Sequence, residues 1–408
     1  MILDIINKKR EGKALSYFEL EYFFTSYLDK SVKDYQMSSL LMAICINGMN
    51  NREVLDLVDI FIKSGTSLDF SDIDGVLVDK HSTGGVGDKT SLIVAPIVAS
   101  LGIPVVKMSG KGLGVTGGTV DKLESIDGFK TNLSVSAIKR QVKDIGLVMC
   151  SQTNNLSPLD KVIYALRDVS GTTDSIPLIA VSIMSKKIAM GSKKLVLDIK
   201  YGKGALINTK GDAKLLSELM VKIGVKYKIE VVTIISSMNI PLGKNIGNSL
   251  EVMEAIDILK GEETNNNLLK LCVDLASEMV VLGKGVKYST AKSMVLKSLS
   301  DKSAYNKFLE MVKYQGGNTS KLKVSKKSIF IKSSVNGVVK NINALILAKL
   351  SIKLGAGRIS KNDFINYGVG IRLHKLVGDK VKKGDTLCEV FIDDVVNLDT
   401  VGDIFEIV

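Results

Sequence analysis

Two clusters of glycine lie close together in one short stretch of this sequence, residues 79–125. The chain has 36 glycines, and nine of them fall between Gly84 and Gly118, where an even spread would place about three. Each cluster follows an apolar run and leads into another. Because glycine permits positive φ and lets a ligand approach the main chain, a strand, a glycine-rich loop and a helix start together form a cradle for an anion. The sequence therefore predicts two anion-binding loops, each placed between a strand and a helix.

The polar residues interleaved with these glycines are of the types that bind phosphate. They are Lys80, His81, Ser82, Ser91, Lys107, Ser109 and Thr119. Cations, hydroxyl donors and free main-chain N–H groups around one point suit a phosphate dianion. Neither GxGxxG nor the P-loop spacing is present, which disfavours a generic nucleoside triphosphatase. Two purely structural turns are the alternative interpretation, and His374, which lacks such neighbours, is interpreted as structural.

Length and hydropathy are those of a globular protein. The 408 residues are enough for two or three domains with a large buried core. The longest apolar stretch, 92–106, is interrupted by prolines and is shorter than the ~20 residues that a membrane-spanning helix needs. It predicts a buried helix followed by a buried strand. The N-terminal residues show no apolar core followed by a small-residue cleavage site, so we expect a cytoplasmic protein.

Charge and cysteine content argue against other classes. Lys and Arg total 55 against 43 Asp and Glu, a net charge of +12, but the basic residues are mostly lysines spread along the chain, without Trp. This pattern leaves a basic nucleotide- or RNA-binding protein as an alternative based on charge alone. The four widely spaced cysteines form no CxxC pair, which argues against a disulfide framework and a zinc site. We expect reduced, mostly buried thiols.

Apolar spacing divides the chain into helical, alternating and mixed regions. Up to about residue 64, apolar residues recur at spacings of three and four residues, which predicts short amphipathic helices. From residue 76 strands alternate with helices, as in a mostly parallel sheet covered by helices. We predict an α/β fold class, in which an all-α lobe accompanies an α/β lobe with a mixed or parallel sheet and a small C-terminal α+β domain. The predicted boundaries are 1–66 and 156–190 for the all-α lobe, 67–155 and 191–329 for the α/β lobe, and 330–408 for the C-terminal domain.

A second group of functional candidates lies in the later helical segment. Ser182 and Lys186 are four residues apart and therefore share one helix face, while Ile179 and Ile183 flank them on a neighbouring stripe. A pair of donors beside an aliphatic wall suits a flat heterocycle with carbonyl acceptors. An apolar structural helix that happens to carry a serine and a lysine is the alternative.

Four segments in combination resemble a known family. They are DKHSTGGVGD at 79–88, GLGVTGGTVDKLES at 112–125, YALRDV at 164–169 and SIPLIAVSIMSKKIA at 175–189. The sequence resembles the pyrimidine nucleoside phosphorylases, which include thymidine phosphorylase, over nearly its whole length. The resemblance implies reversible cleavage of a pyrimidine nucleoside by phosphate in pyrimidine salvage, giving free base and α-pentose-1-phosphate. It also implies a homodimer formed through the all-α lobe, with no organic cofactor and no nucleic-acid or membrane partner.

Position by position, the resemblance implies the roles of individual residues. The phosphate-binding residues would be Lys80, Ser82, Ser91, Ser109 and Thr119, and the residue types between the glycines add Lys107 to this set. The base would be bound by Arg167, Ser182 and Lys186, with Tyr164, Ile179 and Ile183 as the apolar surround. The catalytic residues would be His81, Arg167 and Lys186, with a protonated His81 as proton donor to O2 of the leaving base. A potassium ion would be held by the carbonyls of Gly87, Lys89, Leu242 and Asn245 and the carboxylate of Glu254.

Two departures from the family pattern bear on specificity and alternatives. Val115 stands where histidine is common, so any role of that histidine is absent. Lys107 stands where deoxy-specific thymidine phosphorylases tend to carry an apolar residue, and a lysine there can hydrogen-bond a 2′-hydroxyl. We therefore expect uridine, thymidine and deoxyuridine as substrates, with a deoxy-specific thymidine phosphorylase as the alternative. An enzyme like anthranilate phosphoribosyltransferase is more remote, because it needs a metal site and the second loop offers only Asp121 and Glu124 as acidic residues.

Overall fold

The computed structural model describes residues 1–112, 117–152, 156–263, 267–358, 363–394 and 399–408. Val115 lies outside the described residues. The helices are α1 (Ile2–Arg10), α2 (Tyr17–Leu28), α3 (Asp34–Asn47), α4 (Asn51–Lys63), α5 (Thr90–Ser100), α6 (Thr119–Glu124), α7 (Val135–Ile145), α8 (Pro158–Ser170), α9 (Ile176–Ala189), α10 (Lys210–Lys226), α11 (Asn248–Leu259), α12 (Asn267–Lys284), α13 (Tyr288–Ser300), α14 (Ser303–Tyr314) and α15 (Ala344–Lys353). The strands are β1 (Val78–Ser82), β2 (Val105–Ser109), β3 (Leu147–Ser151), β4 (Lys194–Tyr201), β5 (Glu230–Ser237), β6 (Asn245–Ile246), β7 (Lys327–Lys332), β8 (Gly337–Ile342), β9 (Gly370–Leu373), β10 (Lys380–Val381), β11 (Thr386–Ile392) and β12 (Phe405–Ile407).

One compact unit is helical and is built from three separated parts of the chain. It comprises Met1–Ile73, Thr153–Leu195 and Thr209–Thr233, and within it α4 and α10 pack against α9. The chain therefore leaves a helical unit and returns to it, as the fold-class prediction requires. The unit includes α10, which lies inside the range 191–329 predicted for the α/β lobe. The predicted domain boundaries stay a prediction, since a packing unit need not coincide with a domain.

Polar residues at the helix starts explain where the first helices begin. Ser16 and Glu19 form a reciprocal capping box at the start of α2, and Asn50 and Glu53 form one at the start of α4. Glu53 also accepts a hydrogen bond from Lys9 Nζ at 2.8 Å, and both side chains are buried. This carboxylate thus joins α1 to α4 in addition to capping α4.

The second unit comprises Asp74–Gln152, Val196–Asn208 and Ile234–Val408 and contains the glycine-rich stretch. β1, α5 and β2 follow one another, which confirms the strand, helix and strand predicted for 76–109. α5 is buried from Thr90 to Ala99, as expected of a helix that is apolar all round. β2 pairs with β3 in parallel register from Val105 opposite Leu147 onwards, and β1, β4 and β5 are neighbours in a second sheet. The α/β part of the fold-class prediction is confirmed.

The C-terminal part of this unit is built from antiparallel strands and α15. β11 pairs with both β7 and β9, and β8 pairs with β10 and β12. The short β6 pairs antiparallel with β9, with Asn245 opposite Arg372. The segment just before α11 is therefore fixed in place by the C-terminal sheet.

The four cysteines are free thiols, and Cys150, Cys272 and Cys388 are buried, whereas Cys45 is partly exposed. Burial raises the pKa of the Cys388 thiol to about 12. Among the described helices, none combines the length and the apolar character needed to cross a membrane.

Candidate functional site

The first glycine-rich loop joins the end of β1 to the start of α5 and is organised by one carboxylate. Ser82 Oγ donates to Asp88 Oδ2 at 2.5 Å, and Thr90 donates to Asp88 Oδ1 from its main-chain nitrogen at 3.1 Å and from Oγ1 at 2.6 Å. Burial alone would raise the pKa of Asp88, but the positive charges of Lys200, Lys80 and a third lysine hold it well below its usual range. Asp88 is therefore an ionised group that fixes both ends of the loop.

Lys80 lies in β1, and its side chain is only 3% exposed. It lies beside the buried Asp198, which has other partners. Its Nζ donates to Thr90 Oγ1 at 2.5 Å and lies 3.7 Å from Asp198 Oδ2 on β4. The Asp198 carboxylate is closer to Lys200 Nζ, at 2.7 Å, and accepts from Ser236 Oγ at 2.7 Å. Lys80 is therefore the less tightly paired of the two lysines, as a ligand-binding cation should be.

The second glycine-rich loop runs from the end of β2 to α6, and its described parts are held by Asp121. Asp121 Oδ2 accepts from the Gly112 main-chain nitrogen at 2.6 Å, and Oδ1 accepts from Arg358 Nη2 at 2.9 Å. A Cβ on Gly118 would overlap the main chain at Lys111 and Gly112, so only glycine allows this approach of the two ends of the loop. The loop geometry therefore depends on glycine and on an arginine from the C-terminal part of the chain.

Lys122 connects the two glycine-rich loops. Its Nζ donates to the Asp88 carbonyl of the first loop at 2.6 Å and to the Gly117 carbonyl of the second at 3.3 Å. It also lies 2.9 Å from Glu251 Oε2 on α11, and its side chain is 1% exposed. A single pocket is lined by residues of both loops, of α11 and of α15, among them Gly87, Gly117 and Glu251. The pair of anion-binding loops predicted from the sequence is thus brought together in one place.

The predicted phosphate-binding residues lie on the two strands that lead into the loops and at the starts of the helices that follow. Lys80 is the middle residue of β1 and Ser82 its last, with His81 between them, and Ser91 is the second residue of α5. Lys107 and Ser109 are in β2, where Lys107 is buried, and Thr119 begins α6. The N-terminus of α5 adds main-chain N–H groups and a partial positive charge to the first glycine-rich loop. That these residues bind phosphate stays a prediction.

The predicted base-binding residues form a cluster within the helical unit. Lys186 Nζ lies 2.8 Å from Asp160 Oδ2, donates to Ser182 Oγ at 3.3 Å and lies 5.8 Å from the centre of the Tyr164 ring. Asp160 and Tyr164 are on α8, whereas Ser182 and Lys186 are on α9. The lysine is therefore oriented by a carboxylate and a hydroxyl, beside Tyr164, a residue that is 39% exposed.

Arg167 organises the connection between α8 and α9. Its Nε donates to the Thr172 carbonyl at 2.9 Å, Nη1 to the Leu178 carbonyl at 3.2 Å and Nη2 to the Thr173 carbonyl at 2.8 Å. Burial lowers the pKa of the guanidinium, and the charge of Asp160 partly opposes this. Three of its five N–H groups are thus used to shape the loop. Ile179 and Ile183 are buried nearby on α9.

Three of the five residues predicted to hold potassium converge, but around the side chain of a fourth, Lys89. Lys89 Nζ donates to the Leu242 carbonyl at 2.9 Å, to the Asn245 carbonyl at 2.8 Å and to Glu254 Oε2 at 2.6 Å. The ammonium group thus sits where a cation would bind these oxygens. With Lys89 present, the residues do not fit a potassium ion. Among the described residues, no cluster of three or more His, Cys, Asp and Glu side chains could hold another metal.

Comparison with known proteins identifies the family. Residues 3–65 match the glycosyl transferase helical bundle domain, residues 74–305 the glycosyl transferase a/b domain, and residues 338–404 the pyrimidine nucleoside phosphorylase C-terminal domain. A pyrimidine-nucleoside phosphorylase of Staphylococcus epidermidis is 46% identical over 406 residues, covering 97% of this chain and 94% of that protein. The chain belongs to the pyrimidine-nucleoside phosphorylase family. It is accordingly an enzyme of the glycosyltransferase class, as its sequence predicted.

Other comparisons agree with this family assignment. A pyrimidine-nucleoside phosphorylase of Staphylococcus aureus is 45% identical over 407 residues, again covering 97% of this chain and 94% of that protein. The anthranilate phosphoribosyltransferase of Thermus thermophilus matches with a TM-score of 0.60, covering 76% of this chain and 99% of that one at 16% identity. The second likeness shows a shared fold only.

The structure adds three residues to those that the family motifs pointed to. Asp160 pairs with Lys186, Lys122 joins the two loops, and Arg358 holds Asp121. The sequence could have indicated Asp160, because Asp160, Tyr164 and Arg167 are spaced i, i+4 and i+7 and therefore share one helix face. Lys122 lies inside the GLGVTGGTVDKLES motif but its partners are distant in sequence. Nothing in the sequence around Arg358 indicated its partner.

Proposed function

We propose that this member of the family catalyses the reversible phosphorolysis of pyrimidine nucleosides, serving pyrimidine salvage in the cytoplasm. Inorganic phosphate would displace the base and give free base and an α-pentose-1-phosphate. One observation carries the proposal: Lys122 joins the two glycine-rich loops. The buried Lys80 and the ionised Asp88 belong to the same group. The names of the relatives that match over 97% of the chain support the same reaction.

In the proposed mechanism the two residue clusters stabilise the opposite charges that develop on the sugar and on the base. Breaking an N-glycosidic bond builds positive charge on the sugar and negative charge on the departing pyrimidine. A phosphate held by Lys80, Ser82 and the loop N–H groups would stabilise the sugar and attack its anomeric carbon. Lys186 and Arg167 would donate hydrogen bonds to the base. A protonated His81 would give a proton to O2 of the leaving base.

We propose a broad nucleoside specificity, with uridine accepted beside thymidine and deoxyuridine. Lys107 supports this proposal, because it is a buried cation on the strand that leads to Ser109 and the second loop. A buried ammonium beside the sugar would donate a hydrogen bond to the oxygen of a 2′-hydroxyl. This one hydrogen bond is available to the ribonucleoside alone, so replacing Lys107 should lower the activity on uridine more than the activity on thymidine.

The function is tested by measuring release of free base from thymidine, deoxyuridine and uridine, each with and without phosphate. We expect phosphate-dependent release from all three. We also expect Lys107→Met to lower kcat/KM for uridine relative to thymidine by about tenfold, the effect of one lost hydrogen bond to a charged group. An unchanged uridine to thymidine ratio in Lys107→Met would refute the role of Lys107. No release from any nucleoside would refute the function itself.

We further propose a homodimer formed through the helical unit. Tyr35, Met42 and Ile46 share one face of α3, and their exposed fractions are 71%, 39% and 74%. A stripe of exposed apolar side chains on one helix is typical of a surface covered by another subunit. Sedimentation should give twice the chain mass of 44.1 kDa, and Ile46→Lys should weaken the dimer. A wild-type monomer at micromolar concentration would contradict the proposal.

A further inference from the structure

The buried ammonium of Lys89 lies in a cluster of oxygen atoms, which we call the oxygen cage: the Leu242 carbonyl, the Asn245 carbonyl and the Glu254 carboxylate. The three distances from Nζ are 2.9, 2.8 and 2.6 Å. The Lys89 side chain has no exposed surface, and that of Glu254 is 5% exposed. A lysine ammonium has three N–H groups, and the cage provides one acceptor for each. The fit of donors to acceptors is therefore complete.

The cage connects the first glycine-rich loop to the segment before α11. Lys89 directly follows Asp88 and is the N-cap residue of α5. Leu242 donates its main-chain N–H to the Val86 carbonyl at 3.0 Å, and a Cβ on Gly87 would come within 2.6 Å of the Leu242 carbonyl oxygen. The position of the proposed phosphate loop is therefore tied to the segment 242–245 through main-chain contact and through one charge.

Glu254 needs a positive partner in this place. Its Oε1 accepts from the Lys244 main-chain nitrogen at 2.7 Å, and its Oε2 accepts from that of Asn245 at 2.9 Å. These two N–H groups stabilise the carboxylate but do not neutralise it. Since an unpaired buried charge is strongly destabilising, removal of the ammonium would leave a strong site for any small cation that can enter.

A potassium ion and the Lys89 ammonium would compete for the same oxygens. Backbone carbonyls bind potassium by replacing its hydration shell, and these carbonyls already point at Nζ. Two positive charges within this buried cage would also repel each other strongly. The side chain therefore excludes the ion.

We propose that Lys89 is a built-in monovalent cation, which positions the phosphate loop and makes this enzyme independent of potassium. Lys89 is thus a positioning residue, because it acts on the loop and does not touch the reacting atoms. The activity part of the test rests on the proposed phosphorolysis. The stability part does not, because thermal unfolding needs no turnover.

The wild-type protein provides the first test without any substitution. Its thermal unfolding midpoint and its phosphorolysis rate are measured in potassium chloride and in choline chloride at equal ionic strength. We expect both quantities to be the same in the two salts, with rates within about twofold. A potassium-specific rise of the midpoint by ~2 °C or more, or a rise of the rate by more than about fivefold, would overturn the proposal.

Two substitutions separate the charge of Lys89 from its volume. Lys89→Thr removes the charge and opens space, so potassium should enter the cage. In choline chloride we expect a lower midpoint and a rate reduced by at least about tenfold, and potassium should restore both. Lys89→Met removes the charge but keeps an unbranched stem of similar length, so potassium should restore neither. If the Lys89→Thr protein folds but potassium changes neither its unfolding midpoint nor its rate, a cation role for this side chain is refuted.

The control is a second buried lysine with a carboxylate partner. Lys9 lies 2.8 Å from Glu53 in the helical unit, with exposed fractions of 3% and 2% for the two side chains. Lys9→Met should lower the unfolding midpoint without making either the midpoint or the rate sensitive to potassium. If Lys9→Met also gained potassium sensitivity, the effect at Lys89 would reflect general destabilisation and the proposal would fail.

Discussion

Replacing Lys186 by alanine is expected to lower kcat/KM for thymidine about a hundredfold or more. Its ammonium is held by Asp160 at 2.8 Å and by Ser182 at 3.3 Å, so it is oriented before any ligand binds. A preorganised cation of this kind stabilises the negative charge that develops on the departing pyrimidine, and removing one such donor costs on the order of 10²–10³ in rate. Initial rates over a range of thymidine concentrations, at saturating phosphate, measure the effect.

Two further variants make the Lys186 result specific. Lys214→Ala removes an exposed lysine of the same unit, which lies 4.0 Å from Glu218, and should leave the kinetics unchanged. Asp160→Asn keeps the lysine but removes the charge that orients it, and should give a smaller loss than Lys186→Ala. Near wild-type turnover in Lys186→Ala would contradict the assignment. Arg167→Ala should also be nearly inactive but is a less clean test, because it removes three hydrogen bonds that shape the α8–α9 connection.

The sequence predicted those features that depend on local pattern. The strand–loop–helix order around the glycines, the burial of α5 and the helical segments α8 and α9 follow from apolar spacing and from turn residues within a few positions. Family motifs then pointed to residues that the structure does bring together, such as Ser182 with Lys186 and the first loop with the second. The predictions from residue spacing and those from the family motifs agree here, because each of these contacts lies within or beside a motif.

Contacts between distant parts of the chain could not be predicted in this way. Lys89 lies 153 residues before Leu242 and 165 before Glu254, so nothing around position 89 indicated that its side chain would fill a cage. The resemblance gave the five residues of the cation site, and only the structure shows that one of them supplies the cation. Arg358 reaches Asp121 across 237 residues in the same way. The charge at such a site is set by residues that are far apart in the sequence, and a single sequence does not show which of them meet.

Replacing Lys80 by methionine is expected to raise the KM for phosphate about a hundredfold, with a smaller effect on the KM for thymidine. Lys80 lies in β1 beside Ser82 and Asp88, and its own pairing with Asp198 is loose, at 3.7 Å. The Asp198 carboxylate keeps Lys200 at 2.7 Å and Ser236 at 2.7 Å, so it is not left as an unpaired buried charge. The protein should therefore fold, and the loss should fall on binding of the anion.

The pattern of kinetic constants distinguishes a phosphate-binding role of Lys80 from a structural one. Rates are measured against phosphate at fixed thymidine and against thymidine at fixed phosphate, together with the unfolding midpoint. A merely structural lysine would resemble Lys9→Met, in which the midpoint falls while the KM for phosphate stays the same. A phosphate-binding lysine instead changes the KM for phosphate far more than that for thymidine, and excess phosphate recovers part of the lost rate. An unchanged KM for phosphate in Lys80→Met would remove Lys80 from the site and leave Ser82, Ser91 and the loop N–H groups as the remaining ligands.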